Sequence, residues 1–171
     1  MKKFNINFQN FYLPVALILI LSFSRLIPHP WNFTPILATG IFSGFYFRKF
    51  YLSLFIVIFS MFLGDVFLGF HSTMISTYIS LIIAVLIGLF IKVLSFKNIL
   101  FSGLVSSICF FIITNFGVWL VTDMYDQSIE GLLTCYVAAI PFFSNTILST
   151  LFYLFLIKFL EKSLLKKIKI A

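Results

Sequence analysis

The residues that could carry chemistry in this chain are few, and they lie within or beside long apolar segments. Asp65 lies about one turn inside the end of such a segment, where an unpaired carboxylate is expensive. Arg25 closes another segment, so the two side chains could form a structural ion pair or line a hydrated ligand site. Histidine titrates near neutral pH, so His29 and His71 could act as acid or base. The candidate chemistry is therefore ion pairing, ligand binding or proton transfer.

Amide and indole side chains add a second group of candidates. Asn115, Trp119 and Asp123 recur every four residues, which places them on one face of a helix. A polar stripe of this kind serves in helix packing as often as in ligand contact. Asn145 follows Pro141 at a similar depth in the last segment.

The run from Pro28 to Pro35 is the strongest turn signal in the sequence. Two residues of this run, His29 and Thr34, precede prolines, which favours extended backbone. Thr34 and Pro35 also have the form of a helix N-cap followed by proline at the first helical position. The N–H groups of that helix would then offer partial positive charge to an anionic ligand group. The alternative is a rigid external loop.

We predict that eight residues form one ligand site. No catalytic residue, metal site or cofactor is predicted, because the histidines lack a metal-ligand spacing and no nucleophile motif or phosphate-binding loop is present. The predicted ligand-binding residues are Arg25, His29, Asn32, Asp65, His71, Asn115, Trp119 and Asn145.

Composition indicates a membrane protein. Hydrophobic residues make up 61% of the 171 residues and charged residues 10%, and the mean hydropathy is +1.13. The net charge of +7 is divided among four short edges, which favours anionic lipid head groups over nucleic acid as the partner. Cys109 and Cys135 lie in apolar runs without a CxxC spacing, so free thiols are expected. No soluble domain or linker is visible, and residues 1–171 are predicted to form one integral membrane domain.

Six apolar segments predict an all-α bundle of six transmembrane helices. The second segment would cover only about 20 Å. The sixth is too long for one straight span, so we expect Leu132–Ile140 to be an interfacial or re-entrant piece and Phe142–Leu160 the spanning helix. The six segments are Tyr12–Leu26, Pro35–Phe47, Phe50–Gly69, Thr73–Leu94, Ile99–Val121 and Leu132–Leu160.

The charges alternate between the gaps that separate these segments. Eleven of the twelve Lys and Arg residues fall in every second gap, and four of the five acids fall in the others. By the positive-inside rule the basic gaps are cytoplasmic, so both termini are predicted to lie on the cytoplasmic side of the plasma (inner) membrane. Arg25, both histidines and most of the acid then face outward. Gly40 and Gly44 form a close-packing motif that predicts an approach by another helix, from this chain or from another protein.

At several of these runs the chain resembles a family of small bacterial integral membrane proteins of uncharacterised function. More distantly, the six-helix plan is similar to the substrate-binding S components of energy-coupling-factor vitamin transporters. That similarity implies a ligand near the outer face and a membrane-embedded coupling partner. The first segment lacks the A-x-x-x-A pattern to which such a partner often docks. The runs are Arg25–Pro35, Gly64–Asp65, Leu68–His71, Thr114–Trp119, Gly131–Leu133, Cys135–Tyr136 and Ala139–Phe143.

The leading functional hypothesis is a non-enzymatic, S-component-like protein that binds and takes up a small anionic or zwitterionic solute. The expected partners are that solute, the lipid bilayer and an energy-coupling membrane protein, with no nucleic acid. One alternative is a structural or accessory membrane protein whose polar cluster only packs helices. The other is a membrane enzyme that uses Asp65 with His29 or His71.

Overall fold

The computed structural model describes residues 12, 15–16, 18–20 and 23–168, with side chains as far as residue 161. Within these residues the chain is all-α, as predicted, and contains no strand. Helical backbone at residues 12–23, where described, leads into a short 3-10 helix at Ser24–Leu26. Five α-helices follow: α1 Ile36–Phe47, α2 Phe50–Leu68, α3 Met74–Phe90, α4 Phe96–Val121 and α5 Ile129–Ile168.

Three of these helices are long and apolar enough to cross a membrane: α2, α4 and the Ile129–Glu161 part of α5. The helices α1 and α3 are apolar but shorter, with 12 and 17 residues. The protein is therefore a membrane protein. The first predicted span, Tyr12–Leu26, is described only in part, and both termini lie outside the described residues. A total of six spanning segments therefore remains a prediction.

The boundary between α3 and α4 differs from the prediction. The helix α3 ends at Phe90 instead of Leu94, and α4 begins at Phe96, three residues before the predicted Ile99. Ser95 sets this start, because its side chain accepts a hydrogen bond from the N–H of Asn98 at 3.2 Å. Residues 91–94, which hydropathy alone assigned to the fourth span, therefore belong to the turn between the helices.

The prediction that Pro141 divides the last segment is wrong. The helix α5 runs without interruption from Ile129 to Ile168, with Pro141 inside it. Proline removes one backbone hydrogen bond. Opening the helix at membrane depth would leave several backbone groups unsatisfied, each at several kcal/mol, because lipid offers no hydrogen bonds. The continuous helix is the less costly arrangement.

The start of α1 also corrects a prediction. The N-cap is Pro35 and not Thr34, and no side chain caps this helix. The carbonyl oxygen of Pro35 accepts from the N–H of Thr39 at 2.9 Å and from the Thr39 hydroxyl at 2.9 Å. Because the acceptor of the first intrahelical bond belongs to Pro35, the helix begins one residue later than predicted.

The short helix α1 lies at the centre of the bundle, buried from Ile36 to Gly44 and packed against α3, α2, α5 and α4. A Cβ atom at Gly44 would overlap the carbonyl oxygen of Val85, and one at Gly88 would overlap the carbonyl oxygen of Ile41. The glycine motif of α1 therefore serves an approach within this chain, between α1 and α3. Most of the surface of α1 therefore contacts protein and not lipid.

The charged residues separate to the two ends of the bundle. Arg48, after α1, donates to the carbonyl oxygens of Leu89 at 2.9 Å and Lys92 at 3.3 Å. The rings of Phe96 and Phe155 lie 5.3 Å apart and bring the start of α4 beside the second half of α5. We call one end the basic end, which holds Arg48, Lys49, Lys92, Lys97 and Lys158 and, of the described acids, only Glu161. The other is the acidic end, which holds Asp65, Asp123, Asp126 and Glu130 together with Arg25 and His71.

Candidate functional site

A cavity of about 420 Å³ opens at the acidic end of the bundle. It lies between the 3-10 helix, the start of α1 and the facing parts of α3, α4 and α5, and the 122–128 loop adds to its rim. The volume is within the range of about 300–1,000 Å³ that is usual for small-molecule sites. Four of the eight predicted ligand-binding residues line this cavity: Arg25, Asn32, His71 and Asn115.

Asp65 lies behind the cavity wall and forms the ion pair that the sequence had suggested. Its side chain is 1% exposed, and one of its oxygens lies 3.2 Å from both Nη1 and Nη2 of Arg25. The other oxygen accepts a hydrogen bond from the Tyr78 hydroxyl at 2.9 Å. Arg25 also directs Nη1 to the sulfur of Met61, at 2.7 Å. Both carboxylate oxygens thus have a partner, whereas Arg25 both pairs with the carboxylate and lines the cavity.

The local sequence explains why this pair can form. Gly64 precedes Asp65 on α2, and a Cβ atom at Gly64 would lie 3.0 Å from Nη1 of Arg25. A side chain at this position would therefore crowd the guanidinium. The absence of one lets Arg25 approach the helix closely enough to reach Asp65.

The wall of the cavity offers hydrogen-bond acceptors. Thr77, Thr114 and Thr146 line it, and each donates its hydroxyl proton to the carbonyl four residues earlier in its own helix. A hydroxyl that donates in this way keeps its oxygen lone pairs available. Asn115 likewise donates its side-chain N–H to the carbonyl oxygen of Phe111 at 2.8 Å, which leaves the amide oxygen to accept. These groups could bind a ligand that carries N–H or O–H donors.

Phenylalanine supplies the apolar part of the wall, which the sequence reading missed. The pair Phe110 and Phe111 lies one turn before Asn115 on α4, and the pair Phe142 and Phe143 follows Pro141 on α5. The rings of Phe111 and Phe143 pack with centroids 4.7 Å apart. Each Phe pair lies close in sequence to a predicted polar residue, which could have indicated the cavity wall. The chain has 25 phenylalanines, so these two pairs did not stand out.

Of the four predicted residues that do not line the cavity, His29 and Asn145 lie in or against the 27–35 loop. His29 is exposed, and its Nδ1 lies 2.6 Å from the carbonyl oxygen of Ile27. Asn145 of α5 donates to the carbonyl oxygen of Trp31 at 2.9 Å. Next to this contact, Asn32 adopts a left-handed backbone with φ of 59°, which asparagine tolerates better than most residues. Asn145 therefore holds a cavity-lining loop in place.

Trp119 holds the 122–128 loop, which forms another part of the cavity rim. Its indole Nε1 donates to the carbonyl oxygen of Asp126 at 2.9 Å, and the Gln127 side chain donates to the Trp119 carbonyl oxygen. The loop that this closes carries Met124 and Tyr125, which line the cavity. Trp119 thus lies one turn beyond Asn115 but contacts the loop and not the cavity.

The electrostatics of the site are close to neutral. Arg25 is the single Lys, Arg, Asp or Glu among the described residues that line the cavity, and Asp65 balances its charge. Within the described residues no group of three His, Cys, Asp or Glu side chains could hold a metal ion. The arrangement suits a molecule that is uncharged or zwitterionic and has an apolar or aromatic face.

Comparison with known proteins identifies a family. A family model described as a family of unknown function, DUF6580, matches residues 5–168, and the chain belongs to this family. This agrees with the predicted resemblance to uncharacterised membrane proteins. No curated protein and no solved structure matches the chain, so the distant similarity to S components stays a prediction.

Proposed function

We propose that this family member binds a small uncharged or zwitterionic solute in the cavity at its acidic end, as the binding subunit of an uptake system. The observation that carries the proposal is the mixed wall of the cavity. Phenylalanine rings offer apolar surface, and threonine and asparagine oxygens offer fixed acceptors. This combination is typical of small-molecule sites, in which apolar contacts bind the body of the ligand and a few polar groups fix its orientation.

The proposed orientation places the acidic end outside. The basic end carries Arg48, Lys49, Lys92, Lys97 and Lys158, and positive residues favour the cytoplasmic side. In this orientation both termini are cytoplasmic in a multi-pass inner-membrane protein. The cavity would then receive solute from outside the cell.

Energy for uptake would come from elsewhere. The sequence contains no nucleotide-binding loop, so ATP hydrolysis would require a partner protein. The proposal is therefore an S-component-like subunit that works with an energy-coupling membrane partner or with an ion gradient.

The proposal is tested by thermal stabilisation of the purified protein against a panel of vitamins, nucleobases and amino acids. A ligand present at about 100 times its Kd stabilises a protein by about 2.7 kcal/mol, which corresponds to a rise in melting temperature of roughly 5 °C or more. We expect at least one compound of the panel to produce such a rise. A structural protein without a site would show none.

Matched variants then locate the binding. Ala138 lines the cavity, whereas its neighbour Val137 is 64% exposed and does not. We expect Ala138→Phe to abolish the stabilisation by the ligand and Val137→Phe to retain it. Asn115→Ala should weaken the stabilisation because it removes an acceptor. Equal stabilisation of the Ala138→Phe and Val137→Phe proteins would contradict binding in this cavity.

A structural role is the second candidate, and the Arg25–Asp65–Tyr78 network is the observation that favours it. These three side chains pair with one another without a ligand. In that case no compound would stabilise the protein, and substitutions in the network would change only its melting temperature. The enzyme alternative has less support, because His71 lines the cavity but His29 and Asp65 do not.

A further inference from the structure

A second cavity, of about 430 Å³, lies at the basic end between α3 and α4. Its apolar wall includes Ile87 and Phe90 on α3 and Phe101 and Val105 on α4, and its polar part includes Lys92. We call it the basic-end groove. It lies at the opposite end of the bundle from the solute cavity, so the two sites are separate.

The apolar wall of the basic-end groove is open to the surroundings of the bundle. Phe90 is 83% exposed and Phe101 is 70% exposed. From Asn98 to Val105 the lining of α4 extends about 10 Å along the helix axis. In a membrane protein, lipid is the medium that meets such a surface, and part of an acyl chain can lie along an apolar groove of this length.

Positive charge collects at the polar mouth of the groove. Lys92 lines the groove, and Lys97 is exposed on the first turn of α4. Arg48 donates to the carbonyl oxygen of Lys92 at 3.3 Å, which brings a third cation to this turn. The start of α4 contributes the partial positive charge of a helix N-terminus. The connecting segment, residues 91–95, contains no acid.

The turn that presents these lysines is held by several hydrogen bonds. The N–H of Ser95 donates to the carbonyl oxygen of Val93 at 2.8 Å, and the side chain of Asn98 donates to the same oxygen at 2.7 Å. The Ser95 side chain caps α4 by accepting from the Asn98 N–H. The backbone that carries the cations is therefore fixed relative to the apolar wall.

We propose that the basic-end groove binds an anionic phospholipid. One acyl chain lies along the apolar wall, and the phosphate group is bound by Lys92 and Lys97. Charge complementarity decides the occupant, because a zwitterionic lipid brings its own cation beside the phosphate and gains less from these lysines than an anionic lipid does. Basic pockets between membrane helices are known sites for anionic head groups.

Native mass spectrometry of the full-length protein tests the proposal. The delipidated protein is mixed with equal amounts of phosphatidylglycerol and phosphatidylcholine of the same acyl chains, and the retained lipid is counted. We expect retention of phosphatidylglycerol over phosphatidylcholine. The preference should fall about fivefold for each of Lys92→Gln and Lys97→Gln, as expected for about 1 kcal/mol per cation. Lys49→Gln, at the same end but outside the groove, should leave it unchanged.

A second pair of variants tests the acyl chain. Val105→Trp fills the groove and should reduce retention of both lipids, whereas Leu104→Trp, on the neighbouring 40% exposed position, should not. Soluble glycerol phosphate should fail to displace the bound lipid. Equal retention of the two lipids by the unmodified protein would overturn the proposal. So would displacement by glycerol phosphate, which would make the groove a site for soluble phosphate compounds.

Discussion

Removal of the charge on Asp65 is the sharpest test of the polar network beside the cavity. Asp65→Asn keeps the shape of the side chain but leaves Arg25 without its counter-ion, and it places an amide where Arg25 and Tyr78 now donate. Loss of one partner from a buried ion pair costs about 3–5 kcal/mol. Asp65 is 1% exposed but Arg25 is 13% exposed and borders the cavity, so water partly screens the remaining cation. We therefore expect the lower end of this range, about 3 kcal/mol.

For a chain of 171 residues, 1 kcal/mol corresponds to about 2–4 °C in melting temperature, so Asp65→Asn should melt roughly 6–12 °C lower. Tyr78→Phe removes one hydrogen bond to the same carboxylate and should lower the melting temperature by a smaller amount, equivalent to about 1.5 kcal/mol. The assay is tryptophan fluorescence of the detergent-purified protein during heating. The control is Asp123→Asn, an exposed acid at the same end, which should change the melting temperature little.

A double variant separates the ion pair from nonspecific damage. Arg25→Met combined with Asp65→Asn removes both charges, so the melting temperature should recover part of the loss seen with Asp65→Asn alone. A melting temperature of Asp65→Asn within about 2 °C of the unmodified protein, under 1 kcal/mol, would show that the ion pair does not stabilise the fold. So would a double variant whose loss equals the sum of the losses of Asp65→Asn and Arg25→Met measured singly.

Two further predictions concern helix packing and orientation. Gly44→Ala should lower the melting temperature by the equivalent of about 2 kcal/mol or more, because the new Cβ meets the Val85 carbonyl oxygen, which is backbone. Gly40→Ala, whose Cβ would lie 3.0 Å from the Ala84 Cβ and no closer than 3.7 Å to backbone of α3, should lower it less; equal losses would contradict the close approach of α1 and α3. In a background without the native cysteines, Gln127→Cys should react with an impermeant thiol reagent in intact cells and Lys49→Cys should not. The reverse pattern would invert the proposed orientation.

Part of the site was accessible from the sequence for a simple reason. Arg25 and Asp65 are opposite charges at one depth of an apolar bundle, and each is expensive there without a partner. Their ion pair could therefore be named as one of two alternatives before the fold was known, and the structure forms it. The apolar part of the cavity wall could not be predicted, because its Phe lining is indistinguishable in the sequence from phenylalanine that faces lipid.

The face of a helix can be read from its period, but the partner of each side chain on that face cannot. Asn115 and Trp119 share one face of α4, yet Asn115 lines the cavity and Trp119 binds the carbonyl oxygen of Asp126. That difference depends on the path of the 122–128 loop, which no local pattern specifies. Likewise, Asn145 was placed at a plausible depth, but its contact is the backbone of Trp31, 114 residues earlier in the chain.

Hydropathy and charge alone determined the all-α class, the order of the helices and the separation of most basic from most acidic residues, because lipid requires each span to satisfy its own backbone. The tertiary structure decided where the helices end and whether they continue. Pro141 lies inside α5, because an opened helix would expose more unsatisfied groups than proline removes. The glycines of α1 contact α3 of the same chain, because only packing determines which neighbour comes close. Local composition carries the preference for a helix, and the contacts between helices determine what each face meets.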